Sequence, residues 1–242
     1  MTYETYLKGK TVALVGPANY LTHLELGKII ESHDIVVRIN RGMEVIDSYP
    51  KSLGKRTDIL YNCLIDSPDN GGKIDVDFYK SKGVEWVSTI PGSKANGECK
   101  SNDLHPMVRK SNVKLIKDNF NFHVMDYEWY SQINKNVSCR ANTGFSAIFD
   151  LLDHSVCTLF VCGFSFYLDN FIDGYKKGCE RDEEEFAKQC FVSKRHNQKN
   201  QWAYLKCVSR LNDRINFDPV LEKILQMEEL SRDVNISDFY PN

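Results

Sequence analysis

Short apolar runs, punctuated by glycine and separated by amphipathic stretches, organise the first two thirds of the chain. Residues 11–16 read Thr-Val-Ala-Leu-Val-Gly, an unbroken apolar run that predicts a strand buried on both faces. A loop over 17–20 follows. Leu24, Leu26, Ile29 and Ile30 then give residues 22–32 the apolar side of a helix, and residues 34–40 (Asp-Ile-Val-Val-Arg-Ile-Asn) predict a second strand. Strand, loop, helix, strand is the order of a βαβ unit with a parallel sheet. Further along, the pattern predicts strands over 57–64, 84–90, 113–116 and 159–163. It predicts helices over 77–82, 125–133 and 143–154, the last capped by Asn142. Residues 91–103, rich in Gly, Ser, Asn and Lys, read as a long surface loop. Periodicity weakens afterwards. An acidic helix is expected over 178–188, an amphipathic one over 201–214, and a helix opened by Pro219 over 219–227. From about residue 231 the chain reads as a loosely held tail.

At 242 residues, with 42% hydrophobic side chains, the chain is long enough for one sizeable core. The expectation is a single α/β domain over residues 1–242. A formal charge of −2 gives no global pull toward nucleic acid or anionic membrane. A local basic stretch, Lys194, Arg195 and Lys199, reads as solvated surface. No run approaches the roughly 20 apolar residues that span a bilayer, and the polar first ten residues lack a signal-peptide core. The expected location is therefore cytoplasmic, a removed anchor aside. The eight cysteines form no C-x-x-C pair and are expected to be reduced thiols. The sequons at Asn136 and Asn235 are taken as chance matches.

The turn after the first strand, Gly16-Pro17-Ala18-Asn19, sits where a helix N-terminus favours an anion. It lacks G-x-G-x-x-G, which disfavours a nicotinamide enzyme, and by itself it is equally the turn of any α/β protein. Asp75-Val76-Asp77 is a D-x-D of the kind that holds metal in many nucleotide-sugar transferases, but aspartate is favoured at a helix start in any case. His105, His123 and His154 show no ligand-like spacing with Cys, Asp or Glu. No P-loop and no G-x-S-x-G is present. No metal or cofactor is expected.

Residues 12–40, with Ser32-His33-Asp34, Arg38-Ile39-Asn40 and the downstream Gly54-Lys55-Arg56-Thr57, resemble the large sialylmotif of glycosyltransferase family 29, the animal-type sialyltransferase family. Ala141-Asn142-Thr143-Gly144, a helix, and then Leu159-Phe160-Val161-Cys162-Gly163-Phe164 resemble its small sialylmotif. The resemblance implies a single-domain α/β/α sandwich with a mostly parallel Rossmann-like sheet, a variant of the GT-A type. It implies metal-independent transfer of an acidic sugar, sialic acid or Kdo, from a CMP donor to a glycan hydroxyl with inversion. Asn40, Asn142, Thr143 and Gly144 match donor-binding positions. In the first turn the family's Asn is Pro17, which leaves Gly16 and Asn19 as candidates. The resemblance makes His196 the general base, since a base with a pKa near 6.5 suits the acceptor hydroxyl. The family's Glu five residues on is Gln201 here. An aromatic segment that carries His in the family has none here, and Tyr175 and Lys176 are its nearest candidates for the phosphate. The family's disulfide positions align with Val12 and Val156, which suits a reducing compartment. The departures at Pro17, Asn142 and Gln201 keep a second reading open, a nucleotide- or glycan-binding protein that has lost catalysis.

Overall fold

A computed structural model describes every residue except Ala95, Arg181, Lys194 and Asn242, together with the side chain of Glu183. Of the basic stretch, Lys194 therefore lies outside the described residues. The seven strands are β1 (Thr11–Val15), β2 (Ile35–Ile39), β3 (Ile59–Tyr61), β4 (Trp86–Thr89), β5 (Asn121–Val124), β6 (Thr158–Cys162) and β7 (Ile215–Phe217). They form one all-parallel sheet in the order β5-β4-β3-β2-β1-β6-β7. The order reverses direction between β1 and β6, so this is a doubly wound α/β sheet; the apolar pattern predicts its parallel pairing, and the family resemblance its Rossmann-like sandwich.

Helices cover both faces: α1 (Tyr3–Leu7), α2 (Gly27–Glu31), α3 (Pro50–Leu53), α4 (Val76–Ser81), α5 (Lys110–Asn119), α6 (Tyr127–Asn136), α7 (Thr143–Asp153), α8 (Glu183–Val192), α9 (Gln198–Ser209) and α10 (Pro219–Gln226). β1 and β2 are buried on both faces because each is flanked by strands and covered by helices. On β3 and β4 the faces separate. Ile59, Tyr61 and Trp86 join the main apolar cluster, while Leu60 and Val87 join a second one with Tyr79 and Ile116 of α4 and α5. Among the described residues, no helix is long and apolar enough to cross a membrane.

The residues of the first motif have structural work of their own. Arg38, 1% exposed, donates to the carbonyls of Leu53 and Arg56 and to the Thr57 hydroxyl, so the segment Gly54–Thr57 is folded around a buried guanidinium. Burial pulls that guanidinium down to about 10, still charged at neutral pH. Asp34 accepts from the backbone N–H and hydroxyl of Thr11, which ties the start of β2 to the start of β1. Val12 and Val156 are both buried in the main apolar cluster, and all eight cysteines are free.

Four expectations need correction. Residues 113–116 are not a strand but the middle of α5, and the strand is the half-exposed β5 just after it. Ile116 and Phe120 are buried while Lys114, Leu115, Lys117 and Asp118 are exposed, a helical rather than alternating pattern. The helix expected over 22–32 is a 3-10 turn (Asn19–His23) followed by the short α2, because Gly27 sits where a Cβ would lie 2.5 Å from the Pro50 carbonyl oxygen of α3. The acidic helix starts later, at Glu183. The tail is not loose: Leu230 and Ile236 are buried, and Tyr240 stacks on His23 with ring centroids 5.1 Å apart.

β1 and β6 end in glycines that touch. A Cβ on Gly16 would lie 2.3 Å from the carbonyl oxygen of Gly163, and Gly163 has φ +76° with Leu21 and Gly16 closing in on its Cα. Above them the Tyr20 hydroxyl donates to Asp218 at 2.7 Å and accepts from the N–H groups of Gly163 and Phe164. Asp218 also caps α10 through Val220 and Leu221. Gly163→Ala should cost about 1–3 kcal/mol from forced repacking, beyond its left-handed strain, in a urea melt. Tyr20→Phe should cost about 1–3 kcal/mol by removing the hydroxyl donor from the buried Asp218 carboxylate and the acceptor from the Phe164 N–H, while Gly163 N–H keeps its bond to Asp218. A loss below about 0.5 kcal/mol, the ordinary surface range, would show that the junction is not a structural node.

Candidate functional site

The C-terminal ends of the central strands open onto one cavity, in the crevice expected where strand order reverses. Segments from across the chain line it: Pro17 and Ala18 after β1, Asn40 after β2, Cys63 and Ile65 after β3, Pro91 and Ser93 after β4. Arg140 to Phe145, Gly163 to Tyr167, Tyr175 and Lys176, and His196 complete the wall. Asn40, Asn142, Thr143, Gly144, Tyr175 and His196 are thus brought together. Gly16 and Asn19 are not among the lining residues.

The first turn is not built to hold an anion. Gly16 N–H goes to the Cys162 carbonyl, Ala18 N–H to Gly163, Asn19 N–H to Asn170 and Tyr20 N–H to the Asp169 carboxylate, while Pro17 has no N–H to give. Its amides are spent on the segment that follows β6. Ile172 donates back to the Pro17 carbonyl, and Ala18 bridges Phe171. This stitching carries Phe171, Tyr175 and Lys176 over the cavity.

The N-terminus of α7 is the better anion site. Asn142 caps it, its side chain accepting from Phe145 N–H at 2.8 Å, so the cap itself occupies the third N–H of the helix. Thr143 and Gly144 are the first two helical residues, whose N–H groups have no acceptor within a helix. Asn134 holds the approach in place: its side chain accepts from Ala141 N–H and donates to the Gly97 carbonyl, both at 2.9 Å. At Gly144 a Cβ would lie 3.0 Å from the Phe164 ring, another wall residue, so a larger residue there would press on that ring.

Asn40 is held in the left-handed region, φ 47°, with its N–H on the Tyr61 carbonyl and its side-chain oxygen accepting from Cys63 N–H at 3.0 Å. Burial pushes the phenol of Tyr175, another wall residue, far above its ordinary pKa, and the nearby Asn40 side chain opposes that rise. Tyr175 stacks on Phe171, and the Lys176 ammonium lies 5.1 Å from the centre of the Phe171 ring. Leu64, Phe166 and Tyr167 also have positive φ, at 57°, 52° and 60°. Bulky side chains rarely adopt that conformation, and here it is concentrated on the strand-end loops around the cavity.

His196 is 9% exposed, and its Nδ1 pairs with the Arg140 carbonyl at 2.8 Å. A carbonyl only accepts, so in the neutral ring Nδ1 carries the proton and Nε2 is the basic nitrogen. Gln201, also in the wall, is fully buried, with its amide nitrogen on Cys139 Sγ and its oxygen without a partner. A carboxylate there would be desolvated, so glutamine suits this packing. Three cationic side chains, Arg140, Lys176 and Arg195, face one carboxylate, Asp69, among the described lining residues. Burial lowers the Arg140 pKa, and burial followed by the charges of Arg140 and Arg195 lowers that of His105, a further wall residue. Arg140 and His105 carry no motif. Arg140 merely precedes Ala141-Asn142-Thr143-Gly144, and His105 arrives from the loop after β4.

The other candidates fall elsewhere. Asp75 is the cap of α4, accepting from Phe78 N–H at 3.0 Å, and neither Asp75 nor Asp77 lines the cavity. Against the expectation of no ligand-like spacing, His154, one helical turn after Asp150, and His123 converge on Asp150 with ligand atoms within 4.8 Å of one another.

Comparison with known proteins agrees with this architecture. The family model for glycosyltransferase family 29 (sialyltransferase) matches residues 5–153. A solved mammalian sialyltransferase in complex with Gal-beta-1-3GalNAc-ortho-nitrophenol is similar in fold, with TM-score 0.52 and 15% identity over 89% of this chain and 71% of that one. A second mammalian sialyltransferase structure gives TM-score 0.51 and 16% identity over 87% and 69%. No curated protein matches the sequence. With more than half of its 242 residues matched, this chain belongs to glycosyltransferase family 29, the sialyltransferase family.

Proposed function

We propose that the chain transfers an acidic sugar, sialic acid or the related Kdo, from its CMP derivative to a glycan hydroxyl, with inversion at the anomeric carbon and His196 as general base. One observation carries this reading: Asn40, the Thr143–Gly144 helix start and His196, far apart in sequence, meet on a single cationic cavity. A CMP-sugar of this class carries a phosphodiester and a carboxylate. Helix N–H groups, Arg140, Lys176 and Arg195 are suited to those charges. Asn40, fixed by Cys63 N–H, would hold the nucleotide.

In the chemical step, Nε2 of His196 takes the proton of the acceptor hydroxyl. The oxygen attacks the anomeric carbon from the face opposite the phosphate, and the carbon–oxygen bond to CMP breaks with its electron pair leaving on the phosphate. The hydrogen bond from Nδ1 to the Arg140 carbonyl orients the ring and steadies the imidazolium as it forms. The cationic wall offsets the charge that grows on the departing phosphate. The capping role of Asp75 supports a mechanism that does not use the D-x-D for metal. Free thiols and the buried Val12 and Val156 favour action in a reducing compartment.

Turnover of CMP-Neu5Ac and CMP-Kdo, each with a glycan acceptor, tests the reading. Activity with one of them is expected, and CMP binding without turnover of either would instead support a non-catalytic binding protein. His196→Ala should lower kcat about 10²–10⁴-fold with CMP affinity unchanged. Survival of activity would remove His196 from the role of base. Thr143→Val, close to isosteric, should weaken CMP binding about tenfold, equivalent to roughly 1.4 kcal/mol, by removing a donor at the helix start. An unchanged affinity would move the nucleotide away from α7.

A further inference from the structure

A second polar cluster lies on α7 beyond the cavity. Asp150, seven residues after Thr143 and so about 10 Å along the helix axis, is 2% exposed. Its Oδ2 is 2.9 Å from His123 Nε2 on β5 and accepts the Tyr61 hydroxyl at 2.6 Å. Its Oδ1 faces His154 Nε2 at 3.8 Å, too far for a hydrogen bond, and that buried nitrogen has no other partner among the described residues. The opposite nitrogen of the same ring, Nδ1, is 2.7 Å from the Glu4 carboxylate. A carboxylate accepts, so Nδ1 holds the proton and the lone pair of Nε2 is directed toward Asp150. In the neutral ring these two electron-rich atoms face each other with no hydrogen between them, an arrangement that a bound cation would satisfy.

We propose that His123 Nε2, Asp150 and His154 Nε2 form a binding site for one divalent transition-metal ion of the zinc type. Two imidazoles and a carboxylate suit such an ion, whereas calcium and magnesium prefer all-oxygen ligands. Bonds of about 2.0–2.1 Å put tetrahedral ligand atoms roughly 3.3 Å apart. The 2.9 Å and 3.8 Å separations run to the two different oxygens of Asp150, and one ligand atom from each of the three residues lies within 4.8 Å of the others, a set that closes on one ion by small side-chain rotations. On binding, the metal takes the Nε2 position that faces Asp150, and the neutral His123 ring carries its one proton on Nδ1. Glu4 supplies the outer carboxylate that commonly orients a metal-bound histidine, and Tyr3 stacks on His123 with ring centroids 3.9 Å apart. The ion would therefore pin α1, β5 and α7 together. None of these residues lines the cavity, so the site is structural and separate from sugar transfer.

The full chain, stripped with chelator, should be titrated calorimetrically with Zn²⁺ and with Mg²⁺, and its bound metal counted by mass spectrometry. One Zn²⁺ per chain, a raised Tm and no Mg²⁺ binding are expected. His123→Gln and His154→Gln should each lose the site, and Glu4→Gln, an exposed and conservative change, should weaken it about 10–100-fold. If the histidine variants fail to fold by circular dichroism, wild type against Glu4→Gln decides. Absence of Zn²⁺ binding, Mg²⁺ binding of equal strength, Zn²⁺ held equally by the histidine variants (as by thiols), or an unchanged affinity in Glu4→Gln would each overturn the proposal.

Discussion

The close approach of Gly16 and Gly163 is the constraint on which the site depends. Two neighbouring parallel strands end at the same level, and neither terminal residue has room for a Cβ. Because the strand order reverses here, the chain leaves β1 and β6 in different directions and a crevice opens between the two exits. The Tyr20 hydroxyl and the Asp218 carboxylate fill the hydrogen-bonding needs of the junction, satisfying N–H groups that the tight packing would otherwise bury alone. Burial raises the pKa of Asp218, and its four hydrogen bonds oppose that rise.

That junction also decides where an anion can bind. In many α/β proteins the first βα turn offers free amides to a phosphate. Here the turn is stitched to the segment after β6 and its N–H groups are used up. The free helix start is that of α7, on the other side of the crevice, and the cationic residues gather near it. Substituting proline at position 17 costs nothing in such a turn, since no N–H is required from it. The same stitching draws Tyr175 to Asn40 and closes the wall opposite α7.

α7 thus carries two polar centres with different physics. At its start, two backbone amides with no acceptor in the helix and three cationic side chains line a cavity that can admit a ligand. Toward its end, Asp150 is enclosed by Tyr61, His123 and His154 beneath the short α1. A buried carboxylate so placed needs hydrogen bonds or a cation, and the fold supplies both tyrosyl and imidazole partners. A helix of five residues such as α1 has little stability alone, so contacts of Tyr3 and Glu4 with this centre hold it to the sheet.

Much of this architecture was legible from residue order alone. Apolar runs mark β1, β2 and β6, and the first two are buried on both faces because a run with no polar side has no other place in a sheet. Asn142-Thr143-Gly144 marks a helix start, because a cap works through neighbours three residues away. Arg38 and Gly54–Thr57 read as a motif, and their link is one buried guanidinium. What depends on distant contact was not legible. β5 and β7 are short and half exposed, so their pairing rather than their composition makes them strands. The amides of the first turn were spent by a segment some 150 residues away, which no local pattern reports. Arg140 and His105 reach the cavity only through the course of their loops. His123 finds Asp150 because β5 pairs with β4 and α7 crosses that face of the sheet, whereas His154 lies one helical turn after Asp150 in the sequence. Local sequence determined which elements form, through periodicity and capping; tertiary structure decided which polar groups remain available, because each hydrogen-bonding atom is satisfied only once and its partner is chosen by the fold.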